Sequence, residues 1–314
     1  MKSLVCIDLT RWNVSLLQWS CSFLFIACLT IPSAGGQEQP ASPGRAPGAA
    51  PQDPAYRNAR VEPFRIIGNI YYVGASQHIT AYLITTPQGH ILLDTGFEES
   101  VAAVRENIEK LGFQLRDVKL MLPSHAHGDH VGGFTLMQEL TGARVFSSAL
   151  DAGVMASGGK TDFRSGEGWE PTKVDQIIED GEKVAHGGTT LVAHLTPGHT
   201  KGCTTWTTVA QEGGKNYNVV FLCGVRMNDN IPVVNNPDYP NMAADFEMSF
   251  QKLRSLPCDV FLGAHGYWFD IQSKIQRMEQ DGANPFIDPQ GYRKYIADME
   301  SYFLEQLKKE GGKL

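Results

Sequence analysis

The stretch "SHAHGDH", residues 124–130, holds three of the chain's nine histidines and an aspartate within seven positions. It follows "DVKLMLP", residues 117–123, an apolar run that reads as a buried strand. The cluster therefore sits where a strand passes into a loop, a place where rigid backbone meets open access. His125 and His127 lie two residues apart, so in extended backbone both rings project to the same side and can share one ion. Asp129 continues that alternation, but a helix expected to start at His130 turns the chain, so Asp129 and His130 address a neighbouring position. A histidine-rich surface turn arising by chance is the bland alternative. The pattern in the rest of the chain argues against it.

Short β-rich runs precede the cluster at "FRIIGNIYYVG" (64–74), "HITAYLITT" (78–86) and "HILLDTG" (90–96), punctuated by turn residues. "EESVAAVRENIEKLG" (98–112) spaces Val101, Val104, Ile108 and Leu111 as one helical face. After the cluster, "VGGFTLMQELTG" (131–142) predicts a helix, "ARVFSS" (143–148) a strand and the segment from Ser157 to Pro171 a long loop. The second half repeats the scheme, with strands at "TTLVAHLTPG", "CTTWTTVA", "NVVFLCG" and "CDVFLGAHG". Helices follow at 241–255 and from Asp288, a cap residue placed before Pro289 at the first helical position. Two such halves predict an α/β fold in which two sheets face each other with helices outside.

His199 in "LTPGHTKG" and His265 in "FLGAH" also follow strands, so five histidines occupy strand-to-loop junctions. Alone, either would read as an ordinary core or surface histidine, and only the first cluster raises them. His78, His90, His186 and His194 have no such company and receive no role. Imidazole and carboxylate suit zinc, and a catalytic zinc site keeps one position open for water. Six candidate ligands suffice for two ions with three protein ligands each.

The remaining composition sets limits. Of 314 residues, 42% are hydrophobic and 19% charged, a balance that folds rather than one that stays disordered. The formal net charge of -7 offers no basic field for a phosphate backbone, so no nucleic-acid partner is expected, and no protein partner is implied. Residues 1–36 read as a secretory signal, with Lys2 and Arg11 ahead of an apolar run from Val14 to Ile31. The alternatives are a retained membrane anchor or lipidation at Cys28. Residues 37–59 are Pro-, Gly- and Ala-rich and read as a flexible linker, leaving 60–314 as the folded domain. Export to the periplasm leaves Cys203, Cys223 and Cys258 in an oxidising setting, where one disulfide at most can form within the chain.

"HAHGDHVGG" resembles the H-x-H-x-D-H signature of the metallo-β-lactamase fold superfamily, with its customary "LLDTG" at 92–96. "TPGHTKGCTTW", "LPCDVFLGAHG" and "FIDPQGY" are similar to the third subclass of the class B β-lactamases. The resemblance covers nearly all of the chain from Phe64. It implies an αβ/βα four-layer sandwich, a monomer, and two zinc ions (Zn2+), one on His125, His127 and His199 and the other on Asp129, His130 and His265. It also implies hydrolysis of β-lactam antibiotics, carbapenems included, by metal-activated water, giving antibiotic resistance. Asp129 would hold that water as well as binding zinc, and Asp94 would support the site from behind.

The superfamily also contains lactonases and thioesterases, which typically end the strand equivalent to "NVVFLCG" with an aspartate that bridges the metals. Here Cys223, Gly224 and Val225 stand there, with Asp229 a few residues on. Gly224 aligns with the serine or cysteine of the lactamases, and alternation then makes Cys223 a buried small hydrophobe unless a bulge rotates it inward; Cys203 reads likewise. Relatives often carry a disulfide at the position of Cys258, but the C-terminal helix holds no second cysteine to receive it. Lys201, where proline is usual, is a smaller departure. Arg226 is a candidate for the substrate carboxylate, against a solvent-facing alternative. The loop 158–169 offers Phe163 and Trp169 as apolar cover. The rival readings are a lactonase or thioesterase on the same site, and a zinc-binding protein without turnover.

Overall fold

In the first sheet the strand "HILL" is buried along its whole length, so both its faces are covered and it carries no polar alternation. In this computed structural model, which describes residues 48–51, 53–164, 168–228, 230–278, 280 and 282–312, that sheet has seven strands. They are β1 (Phe64–Ile67), β2 (Ile70–Tyr72), β3 (Tyr82–Ile84), β4 (His90–Leu93), β5 (Val118–Leu122), β6 (Arg144–Ser148) and β7 (Gln176–Ile178), in spatial order of sequence. Pairing is antiparallel from β1 to β4 and parallel from β4 to β7. The second sheet comprises β8 (Lys183–His186), β9 (Thr189–Leu195), β10 (Thr204–Glu212), β11 (Lys215–Leu222) and β12 (Val260–Gly263). Only β11 and β12 pair in parallel there.

The helices are α1 (Pro54–Asn58), α2 (Val101–Lys110), α3 (Gly128–Val131), α4 (Phe134–Thr141), α5 (Ala149–Ala156), α6 (Met242–Ser255), α7 (Ile271–Met278) and α8 (Pro289–Lys309). Leu83, Leu92 and Met121 point outward from the first sheet into a cluster with Val101, Val104 and Ile108 of α2 and Phe134 and Met137 of α4. Their neighbours Tyr82, Ile91, Leu93, Leu120 and Leu122 point inward, into a core with Trp206 and Phe221 of the second sheet. The period of two thus supplies two cores from one strand set. Phe246 and Phe250 of α6 and Phe303 of α8 join their rings at 5.5–6.3 Å within the larger core. The helices lie outside two mixed sheets, as the α/β expectation requires.

Several elements differ from the sequence expectations. The segment 37–59, expected to be spacer, ends in α1, where the Asp53 side chain accepts from Ala55 N at 2.8 Å and Pro54 takes the first helical position. The helix expected over 131–142 is two, broken at Gly132 and Gly133. The strands β7 and β8 and the helices α5 and α7 had no clear sequence signal, being three to eight residues long. The signal segment, Asp229 and residues 165–167 of the long loop lie outside the described residues.

The cysteines are also disposed differently. Cys203 and Cys223 are joined in a disulfide, with Cα atoms 5.9 Å apart, so neither is a free buried thiol. The register of β10 on β11, which sets Trp206 opposite Phe221, brings the two together across adjacent strands. Cys258 is free and half-buried. Burial and the nearby Asp259 push its thiol up to about 12, which keeps it protonated and unreactive.

Candidate metal centre

β5 ends at Leu122 and delivers residues 124–130 to the rim between the sheets. His127 N bonds His125 O at 3.1 Å, so the chain turns there rather than staying extended, yet the two rings still converge, with centroids 4.5 Å apart. The α3 turn begins at Gly128, earlier than expected, and swings Asp129 and His130 to one side. His199 follows β9 and His265 follows β12, so the second sheet contributes one histidine to each group. His125, His127 and His199 form one trio and Asp129, His130 and His265 another, each with its ligand atoms within 4.8 Å of one another. The trios adjoin: the rings of His125 and His130 lie 4.2 Å apart, and His130 Nε2 is 3.3 Å from His265 Nε2.

Four of the five rings are anchored on the side away from the centre. His199 Nδ1 donates to the Arg226 carbonyl at 2.7 Å, and His265 Nδ1 lies 3.3 Å from the His78 carbonyl. Asp94 accepts from Ser124 N and Ser124 Oγ, both at 2.7 Å, and from His130 Nδ1 at 3.1 Å. With its hydrogen directed at Asp94, Ser124 Oγ is left to accept from His125 Nδ1 at 3.1 Å. Asp94 holds this position in a left-handed conformation, φ 54°, a strain that non-glycine residues sustain where the surroundings fix them. Anchored Nδ1 atoms fix the tautomer and turn Nε2 inward, the arrangement that presents a ligand to a metal. The Nε2 atoms of His125 and His127 are buried with no hydrogen-bond partner; that of His127 lies 3.9 Å from Asp162 Oδ2, and a cation would relieve the cost at His125.

Electrostatics agree with that fit. Burial, reinforced by repulsion among the neighbouring rings, holds His125 and His127 well below the usual imidazole range. The same causes hold His265 down, and burial with the nearby Arg164 lowers His199 to about 3. Burial opposes charge on His130 as well, but Asp129 and Asp94 override it and raise the ring to about 10. Burial likewise opposes charge on Asp129, yet the adjacent histidines hold its carboxyl well below the usual range. Four neutral imidazoles and a carboxylate suit metal binding as they stand, and His130 would give up its proton to an incoming ion.

A cavity of about 480 Å3 opens over both trios. His127, Asp129, His199 and His265 form its floor, Arg164, Arg226 and Asn228 its polar wall, and Phe97, Ile231, Tyr267 and Trp268 its apolar wall. Arg226 is partly buried in that wall rather than facing solvent. Phe163 and Trp169 do not line the cavity. Phe163 packs on Tyr239, and Trp169 lies against the outer core of the first sheet. Arg164, beside Phe163 in the same loop, is the residue that reaches the site. Gly224 lies beneath His199, and a Cβ there would stand 3.0 Å from His199 Cδ2.

The family model described as "Metallo-beta-lactamase superfamily" matches residues 77–212. The native FEZ-1 metallo-beta-lactamase from Legionella gormanii superposes with a TM-score of 0.79 at 41% identity, covering 81% of this chain and 98% of that one. The chain belongs to the metallo-beta-lactamase superfamily. BJP-1, a subclass B3 metallo-beta-lactamase of Bradyrhizobium japonicum, gives a TM-score of 0.76 at 36% identity, covering 82% of this chain and 97% of that one. The sandwich described above is therefore the metallo-beta-lactamase fold, and the protein is a hydrolase of that superfamily with histidine-rich metal-binding groups. Curated relatives are matched over shorter spans. "Uncharacterized protein YobT" of Bacillus subtilis is 29% identical over 46% of this chain and 62% of its own length. The N-acyl homoserine lactonase AttM of Azorhizobium caulinodans is 29% identical over 38% of this chain and 56% of its own. The match thus spans less than two thirds of either curated relative.

Proposed function

We propose that this metallo-beta-lactamase uses two zinc ions to hydrolyse the amide bond of β-lactam antibiotics, carbapenems among them, and so gives antibiotic resistance. The observation that carries the reading is the pair of adjoining trios, five imidazoles and a carboxylate whose ligand atoms converge within 4.8 Å in each group. His125, His127 and His199 would hold one ion, and Asp129, His130 and His265 the other. Bound zinc would supply Lewis acidity and bring the pKa of water from 15.7 to about 7.

The chain's own groups do the rest. Asp129, the partly exposed member of its trio, faces the cavity and would orient the attacking water by accepting its hydrogen bond. Arg226 and Arg164 on the polar wall would receive the substrate carboxylate, with Asn228 beside them. Tyr267 and Trp268 would cover the apolar body of the antibiotic and exclude water. Water adds across the lactam C–N bond, with oxygen to the carbonyl carbon and a proton to the nitrogen.

A lactone-cleaving reading draws on the similarity to AttM. Against it, the strand end after β11 presents Gly224 toward His199 and no carboxylate at that point. The disulfide supports export to an oxidising compartment such as the periplasm. The test is turnover of a carbapenem, a chromogenic cephalosporin and an N-acyl homoserine lactone by the purified chain, before and after chelation and after zinc is restored. Chelator-sensitive lactam hydrolysis is the expected result. Lactone turnover alone would replace the reading.

A further inference from the structure

Asp151, in the first turn of α5, is buried at 2% exposure and has no part in the chemistry described so far. Its carboxylate lies between the two loops that carry the first trio. Oδ2 accepts from Ala126 N at 2.9 Å, and Ala126 separates His125 from His127. The same oxygen accepts from Thr200 Oγ1 at 3.1 Å, and Oδ1 accepts from Gly202 N at 3.0 Å, one and three residues beyond His199. Ser148, at the cap of α5, donates from Oγ to the Gly202 carbonyl at 2.7 Å, so α5 grips the Gly202 residue by both its backbone groups. The approach requires glycine, because a Cβ at 202 would stand 2.3 Å from Ser148 Oγ and 2.6 Å from Asp151 Oδ1.

We infer that Asp151 is a positioning residue that sets the spacing of His125 and His127 against His199 and so tunes the affinity of the first trio for its ion. The inference rests on the two-zinc reading. A single carboxylate that receives three donors from two chain segments fixes their separation more tightly than the backbone of either alone. The donors all frame one trio. Asp129 and His130 are held instead through Asp94 and the α3 turn, and His265 through the His78 carbonyl.

Asp151→Asn tests this with little change in volume. An amide offers one accepting oxygen and turns its NH2 toward a donor, so either Gly202 N or the Ala126 and Thr200 pair loses its acceptor. Competitive zinc titration of the full chain, with melting of the zinc-free form alongside, gives both affinities and the fold's stability. The expected result is one zinc affinity lowered by about 10–100-fold, the range for groups that orient metal ligands, with the other unchanged. Thr200→Val, which removes one donor and keeps the shape, should lower the same affinity by a smaller factor, and it decides the matter if Asp151→Asn does not fold. Two unchanged affinities in a folded variant would overturn the inference. So would an equal fall in both that follows a loss of zinc-free stability, which marks a purely structural role. Absence of zinc from the unmodified protein would overturn the two-zinc reading itself and this inference with it.

Discussion

Asp94 Oδ2 accepts a hydrogen bond from His130 Nδ1 at 3.1 Å, and the same oxygen accepts from Ser124 Oγ, which faces His125 Nδ1. One carboxylate therefore orients a ring in each trio. Asp94→Asn offers a single acceptor and should lower zinc affinity and lactam turnover by about 10–100-fold. Zinc content after dialysis and steady-state rates check it. Retention of both zincs with full turnover would show that the rings keep their orientation without Asp94.

The zinc-free site should contribute most to stability near pH 6.5. His125, His127, His199 and His265 bind protons more weakly folded than unfolded, so the unfolded state holds more protons below 6.5 and stability falls with acid. His130 has the opposite sign. Its pKa is raised to about 10, so its stabilisation is full below 6.5 and is lost as pH rises from there toward 10. Denaturant midpoints of the chelated protein between pH 5 and 9, compared with a His130→Gln variant, check this. The alkaline decline should shrink in the variant.

A side chain at Gly224 must displace His199, because the new Cβ would press on its ring at 3.0 Å while Nδ1 is tied to Arg226 O. Gly224→Ala is expected to weaken zinc at the first trio by about 10-fold, in the range for disturbed ligand orientation. Zinc titration of the variant is the check. Unchanged affinity would mean that His199 slides without loss.

Arg226→Ala and Arg164→Ala should each raise KM for carboxylate-bearing lactams by about 10–100-fold, the loss of a charge-assisted hydrogen bond of about 1.5–3 kcal/mol, with less effect on kcat. A substrate analogue esterified at that carboxylate should feel neither change. Equal losses on acid and ester would assign the arginines to site architecture instead.

The Cys203–Cys223 bond closes a sequence separation of 20 residues. Replacing both by serine should cost about 3 kcal/mol, the chain-entropy value for a loop of this size. Urea unfolding of the double variant measures it, and Cys258, half-buried and protonated, should not substitute for either partner.

How far the sequence was legible follows from where each signal resides. The residues 124–130 could be read because four candidate ligands are local and follow an apolar strand. His199 and His265 were readable only through that cluster, since a lone histidine after a strand carries no partner information. Asp151 gave no signal at all: its role depends on α5 meeting two loops that are 25 and about 50 residues away in sequence. The disulfide was hidden for a similar reason, as it follows from the register of β10 on β11 rather than from spacing. Phe163 and Trp169 misled because aromatic content says nothing about which way a loop turns.

Each trio draws two members from the loop after β5 and one from the second sheet, so neither half of the chain owns a complete set. A nascent or half-denatured molecule would thus lack a complete set of ligands for either ion. Under the two-zinc proposal, metal capture would select the fully assembled state from every partly formed one and make the ion a latch on maturation.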